Sequence, residues 1–322
     1  MKKTLLAAVA ALVAGAALAQ PTGRLVLYTS QPNADAQRTV DAFMAAHPGV
    51  TVDWVRDGTT QVMAKLSAEF EAGAPQPDVL LIADSVTMEG LKAQGRLMAH
   101  PEADVSAYDP AIMDADRTWF STKLITTGIA YNTAAPARPT SYRDLPPLAG
   151  QFAMPSPLTS GAATIHMVAL TGRDDLGWKF YEDLAEGGAL AQGGNGAVMT
   201  AIASGEKLYG FLVDFLVIRE KAKGAPVEFV FPVEGVSAVT EPVAILSTAK
   251  NPEAARAFVD FLLSPAGQQL AADMGYLPAH PAITPPPGFP PLSDIRLLDF
   301  DPAAALAGDV ENKKKFADIF GG

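Results

Sequence analysis

The chain has no cysteine, which excludes disulfide scaffolds, thiolate metal sites and thiol nucleophiles. Its four histidines, His47, His100, His166 and His280, are too dispersed to make a local metal motif. Charge is sparse, at 18% of residues, and leans acidic, with 35 Asp and Glu against 24 Lys and Arg for a formal charge of −11. Phosphate backbones recruit basic surfaces, so general nucleic-acid binding is excluded. No H-E-x-x-H, G-x-S-x-G, P-loop or G-x-G-x-x-G motif occurs. Beyond the N-terminal segment no run is long and apolar enough to span a bilayer. What is present is a globular composition, 49% apolar over 322 residues, which excludes a disordered chain. Single cores stop growing near ~250–300 residues, so this length points to two domains.

The N-terminus has the form of an export leader. Lys2 and Lys3 make a positive start, Leu5 to Ala16 an apolar stretch, and Ala17-Leu18-Ala19 a small-x-small cleavage site. Residues 1–19 are therefore expected to be a cleaved signal peptide, with a periplasmic mature chain starting at Gln20. Losing Lys2 and Lys3 makes the formal charge two units more negative. The other reading, an uncleaved anchor, is opposed by the shortness of the run.

After the leader, strand and helix patterns alternate. Leu25 to Tyr28 is a short apolar run; Ala36, Val40, Phe43 and Met44 then share a helix face that His47-Pro48-Gly49 ends. Val50 to Val55 alternates as a strand, and Val62, Met63, Leu66 and Phe70 mark a second helix. Asp78 to Ala83 reads as a buried strand, with a helix opening at Asp84-Ser85. Three such units in succession indicate α/β architecture with a mostly parallel sheet. Further strands are expected over Leu124 to Tyr131, Phe152 to Met154, Gly210 to Val217, Val227 to Phe231 and Val243 to Leu246. Helices are expected after Ser156 to Gly161, after Gly193 to Gly196, around Ala254 to Leu262, and from Ala303 to Phe320. Crossings near Leu124 and Val239 to Val243 would join two lobes.

Open parallel sheets bind ligands beyond the carboxyl ends of their strands, where helix N-termini offer unpaired N–H groups and partial positive charge. This chain places small polar residues there: Ser30, Thr59, Thr60 and Ser85 in the first lobe, and Ser156, Thr159, Ser160, Gly161 and Asn195 in the second. Each alone is equally an ordinary helix cap. The segment from Ser156 to Ala162 is the strongest, because Gly161 allows close backbone approach to an oxyanion. Asp214, inside an apolar run, either pairs with an Arg or Lys or faces the cleft; Glu241 is a companion carboxylate.

At these residues the chain resembles periplasmic solute-binding proteins of ABC importers, in the cluster of ferric-ion, phosphonate and sugar-phosphate binders. The segments LVLYTSQPN, PDVLLIADS, TGIAYNT and PSPLTSGAA carry the resemblance, and AKNPEAARAFVDFLLSPAGQQLAADMGYLPA is its most specific part. The resemblance implies a two-lobed, type II-like binding protein, each lobe a mainly parallel sheet flanked by helices, with a ligand cleft between. It implies residues 20–124 plus 243–285 as one lobe and 125–242 plus 286–322 as the other. Such proteins bind and release without catalysis, need no cofactor or resident metal, act as monomers and dock on membrane permease subunits. Ferric binders of the cluster typically carry a Tyr-Tyr pair near Val213-Asp214-Phe215 and often a His after the first strand. Here both are absent, with Gln31-Pro32-Asn33 in the second place. The expected cargo is a small phosphonate or phosphate ester, including 2-aminoethylphosphonate with its amine on Asp214. Ferric iron, an exported hydrolase and a sensor subunit are the alternatives.

Overall fold

The computed structural model describes residues 20–291, 294–299 and 302–321. The expected leader, residues 1–19, lies outside the described residues. The elements run β1 (Gly23–Thr29), α1 (Asn33–Ala46), β2 (Val50–Arg56), α2 (Thr59–Glu71), β3 (Val79–Leu81), α3 (Ser85–Ala93), β4 (Leu97–Met98), β5 (Trp119–Ser121), β6 (Lys123–Asn132), β7 (Phe152–Met154), α4 (Gly161–Thr171) and α5 (Gly177–Glu186). They continue through β8 (Leu190–Ala191), α6 (Asn195–Ser204), β9 (Tyr209–Val213), α7 (Asp214–Ala222), β10 (Val227–Val230), β11 (Ser237–Val239), β12 (Pro242–Leu246), α8 (Pro252–Leu263), α9 (Pro265–Asp273), β13 (Leu277–Pro278) and α10 (Pro302–Phe320). Among the described residues, no helix is long and apolar enough to cross a membrane.

Two sheets form two lobes. The first has the order β2-β1-β3-β12-β4, with β5 also on β12. Alternation along β1 explains why it is apolar on both sides. Leu25 and Leu27 pack with Phe43 of α1 and Phe258 of α8, whereas Tyr28 packs with Leu66 of α2 and Met88 of α3. The second sheet has the order β10-β6-β9-β7-β8, with β11 and β13 also on β6. Ile129, Phe152 and Phe211 pack under α4 and α5, and Ala130 and Leu212 under α6 and α7.

The sheets are mixed rather than mainly parallel. β1 runs parallel to β2 and β3, but β12 is antiparallel to β3, β4 and β5. In the second lobe β7 is parallel to β8 and β9, while β6 is antiparallel to all four of its partners. The cause is the crossings: β6 and β12 enter their sheets from the other lobe, so neither follows a strand–helix–strand crossover of its own lobe. The chain passes between sheets at Thr122 and back at Thr240, and these two crossings are joined by Thr122 N–H and Lys123 N–H donating to the Thr240 carbonyl at 3.1 and 3.3 Å. Leu277–Pro278, within the segment expected in the first lobe, adds to the second sheet through β6.

A second correction concerns the run Gly210 to Val217. The strand ends at Val213, and Asp214 opens α7. An acidic residue in the first turn suits the positive end of the helix dipole, so the charge inside the apolar run marks the boundary.

One buried histidine fastens the first lobe. His100 is nearly enclosed, with Nε2 2.8 Å from Asp260 Oδ1 on α8 and Nδ1 3.3 Å from Glu102 Oε2. Burial opposes its charge, but Asp260 and Glu102 outweigh that and raise its pKa. Because the folded pKa is raised, this stabilisation is complete below the unfolded value of about 6.5 and fades as pH rises through the folded one. His100→Gln is expected to lower the melting temperature by roughly 2–4 °C at pH 5 and by less at pH 8.5, since both carboxylates are partly solvated. Melts of the two proteins across this range check it; a deficit that grows with pH contradicts it.

Candidate functional site

The lobes meet over a cleft of about 470 Å³, the size of a small-molecule site. Its walls follow from how α/β strands end. β1 delivers Ser30, β2 delivers Arg56 and Asp57, and the turns before α2, α4 and α6 deliver Gly58-Thr59, Thr159 to Ala162, and Gly193 to Ala197. Val213, Phe215, Leu216, Ile125 and Glu241 complete the lining with Pro32, Gln61 and Ala83.

Three helix N-termini converge here from opposite lobes. α2 begins after Gly58 and α6 after Gly194, neither of which has a side chain to cap the first turn. Their leading N–H groups are thus left for a ligand or water. α4 is capped by Ser160, whose Oγ accepts from Ala163 N–H at 3.3 Å and from Asn195 Nδ2 at 3.2 Å. Asn195 Oδ1 accepts from Val213 N–H at 3.3 Å, tying α6 to the end of β9. Thr159 Oγ1 donates to the Gly193 carbonyl at 2.5 Å, fixing one turn against the next. Across the cleft, Ser30 Oγ accepts from Ala83 N–H at 3.0 Å.

The lobes are in contact at two glycines. A Cβ on Gly58 would lie 2.4 Å from the Thr159 carbonyl oxygen, and one on Gly161 would lie 2.6 Å from the Ala83 carbonyl oxygen and 3.0 Å from Thr59 Oγ1. The structure is therefore a closed form, in which backbone meets backbone where any side chain would intrude.

Of the residues singled out from sequence, Ser30, Thr59, Thr159, Ser160, Gly161, Asn195 and Glu241 line the cleft. Thr60, Ser85, Ser156 and Asp214 do not. Ser85 follows Asp84, whose carboxylate already accepts from Val86 and Thr87 N–H at 3.0 and 3.1 Å, so α3 presents no free N-terminus. Ser156 shapes the turn, its Oγ accepting from Leu158 N–H and its carbonyl from Thr159 and Ser160 N–H. Thr60 is the second residue of α2 and is carried off the wall by the helical turn.

Asp214 neither faces the cleft nor pairs directly with a base. Its Oδ2 accepts from Thr126 N–H at 2.9 Å and Oγ1 at 2.7 Å, and its Oδ1 from Phe215 N–H at 2.6 Å. Burial pushes its pKa up to about 7, against the pull of those bonds. Its expected role, holding a ligand amine, therefore falls away: the carboxylate clamps β6 to α7.

Behind the wall lies a buried charged cluster at the crossings. Glu241, with φ of 38°, pairs with Lys123 and accepts from Gln31 Nε2 at 3.3 Å. Burial raises the Glu241 pKa, with Lys123 opposing. Arg219 of α7 grips Asp35 of α1 through two bonds of 2.9 and 2.8 Å, and the Tyr276 hydroxyl donates to the same carboxylate. This pair joins one lobe directly to the other.

Sequence reasoning missed Arg56, Gln61 and the Asp35–Arg219 pair. For Arg56 a signal existed, because it is the last residue of a parallel strand and sits at the carboxyl edge where ligands bind.

Two α/β lobes, crossed more than once by the chain and closed over helix N-termini, define a two-lobed, type II-like binding protein, a non-catalytic class. The chain belongs to the family described as bacterial extracellular solute-binding protein, whose profile matches residues 25–277. An uncharacterized protein of Haemophilus influenzae is 29% identical over 328 residues, covering 93% of this chain and 92% of that one. The periplasmic binding protein AfuA from Actinobacillus pleuropneumoniae, with exogenous fructose-6-phosphate bound, superposes with a TM-score of 0.84 at 24% identity, over 92% of this chain and 98% of that one. Iron-bound HitA from Pseudomonas aeruginosa superposes with a TM-score of 0.77 at 24% identity, over 93% and 99%.

Proposed function

We propose that this protein is the periplasmic capture subunit of an ABC importer and that its cargo is a small phosphate ester. The observation that carries this reading is the meeting of two uncapped helix N-termini, α2 and α6, from opposite lobes beside the Ser160–Gly161 turn. N–H groups held in fixed positions bind an oxyanion without prior reorganisation. The wider cleft, about 470 Å³, leaves room for an organic remainder beyond the head group. Fructose-6-phosphate in the AfuA structure is a ligand of this chemistry. Residues 1–19 would export the chain, which would act as a monomer and hand its cargo to permease subunits in the membrane. Phosphonates share the head group, but Asp214 gives their amine no partner on the wall.

Ferric iron is the second reading, favoured by the likeness to iron-bound HitA. Ferric iron seeks phenolate and carboxylate oxygens. Among the described residues the wall offers only Asp57 and Glu241, the latter already paired with Lys123, and no tyrosine or histidine. Among the described residues no group of three or more His, Cys, Asp or Glu is arranged to hold a metal.

Calorimetric titration of the stripped protein with fructose 6-phosphate, glucose 6-phosphate, 2-aminoethylphosphonate and ferric citrate decides between them. At least one sugar phosphate is expected to bind with micromolar or tighter affinity. A coloured iron complex without any response to phosphate esters overturns the proposal.

A further inference from the structure

Arg56 carries the only formal positive charge among the described residues that line the cleft. It ends β2, opposite Thr29 at the end of β1, and stands two residues before the glycine that leads into α2. Its Nε donates to the Gln31 carbonyl at 2.8 Å. Gln31 is 1% exposed and is itself fixed, with its N–H on Thr29 Oγ1 at 3.1 Å and its Nε2 on Glu241 at 3.3 Å. One edge of the guanidinium is thus anchored to the buried floor, while no protein acceptor among the described residues holds the Nη pair. That pair is the edge that binds a phosphate through two parallel bonds.

The neighbouring carboxylates do not consume this charge. Asp57 Oδ1 accepts from Gly58 N–H at 2.7 Å, and Glu241 is paired with Lys123. The rest of the wall that attracts anions is made of backbone dipoles and hydroxyls. Dipoles and N–H donors present only partial charges to either ester, so the second charge gains less from each of them. A full cation rewards the second charge in proportion. In a chain whose net charge is −11, that local cation is what opposes the overall repulsion of a dianion.

We propose that Arg56 is the specificity-determining residue of the cleft, selecting doubly ionised phosphate monoesters over singly charged or neutral molecules of the same shape. The proposal rests on the phosphate-ester reading of the site and adds which side chain sets the charge preference.

A matched pair of ligands tests it. Phosphate monoesters have a second pKa near 6 and are dianions at pH 7.5, whereas a sulfate monoester carries one charge. Glucose 6-phosphate and glucose 6-sulfate are titrated calorimetrically at pH 7.5 into wild type, Arg56→Gln and Arg56→Lys, each checked for a wild-type melting temperature. Wild type is expected to prefer the phosphate by at least about tenfold, and Arg56→Gln to lose most of that ratio by weakening the phosphate more than the sulfate. Arg56→Lys, a point charge without the fork, is expected to keep part of the preference at lower affinity. An unchanged ratio in Arg56→Gln overturns this inference and leaves the phosphate-ester reading standing. Binding of neither ligand by wild type, together with silence toward fructose 6-phosphate, removes the reading of the site itself.

Discussion

Gly161→Ala is expected to weaken ligand binding by about tenfold to a hundredfold, while the ligand-free protein melts within a few degrees of wild type. The new Cβ would lie 2.6 Å from the Ala83 carbonyl oxygen and 2.9 Å from Asp84 Cβ, both in the opposite lobe. A backbone carbonyl at the end of a sheet cannot swing aside, so the collision is relieved only by holding the lobes apart. Locally the change is harmless. Gly161 is the first residue of α4 and does not have a positive φ, so alanine suits the helix there. The cost therefore falls on closure, and closure is where the two halves of the anion site meet. Overpacking of this kind costs about 1–3 kcal/mol, which is the stated loss of affinity because each ~1.4 kcal/mol is a factor of ten. Gly58→Ala is the mirror experiment, since its Cβ would lie 2.4 Å from the Thr159 carbonyl oxygen from the other side. Calorimetry gives the affinity. Small-angle scattering supplies the cause: wild type contracts on adding ligand, and the variants should not. Wild-type affinity in both variants would mean that the cleft accepts its ligand without this contact.

The two-lobed architecture was legible because its strands are signalled physically. The run Val79 to Ala83 is apolar throughout because helices cover both faces of the strand Val79–Leu81, and the helix after it opens with Asp84 as its cap. The end of β9 was not legible. Val213 caps nothing, so the apolar text runs from strand into helix with only Asp214 to mark the change. Strand direction was also hidden, because β6 and β12 are set by crossings between lobes and not by local pattern. At the site, the hydroxyl-bearing turns were visible, but the same residue types cap helices and touch ligands. That is why Ser30, Thr59 and Ser160 line the cleft, while Ser156 serves the backbone beside it and Ser85 stands behind the Asp84 cap. Asp35 and Arg219 are 184 residues apart, and no local signal connects them.

Arg219→Ala is expected to destabilise the closed protein by about 3–5 kcal/mol, the usual result of removing one member of a buried ion pair. Asp35 is 2% exposed and takes two bonds from Arg219 and one from the Tyr276 hydroxyl. The guanidinium also lies 4.5 Å from the Phe215 ring and 5.0 Å from that of Tyr276. With Arg219 gone, the carboxylate keeps the Tyr276 hydroxyl and the more distant charge of Lys123, too little to hold it ionised without taking up a proton or parting the lobes to reach water. The double variant Asp35→Leu with Arg219→Leu is expected to lose less than Arg219→Ala alone, because no uncompensated charge remains. The pH dependence has a definite sign. Burial pushes the Asp35 pKa up, but Arg219 and Tyr276 outweigh it, and the folded value is depressed. This stabilisation is therefore present above the unfolded value of about 3.9 and is lost as pH falls through the folded one. Urea titrations at pH 7 and pH 3, on wild type and the two variants, separate the possibilities. A loss in Arg219→Ala that persists undiminished at pH 3 would assign the effect to lost ring packing. A loss that is smaller at pH 3 than at pH 7 identifies the pair as a charged bolt between the lobes, whose stabilisation fades as Asp35 takes up its proton.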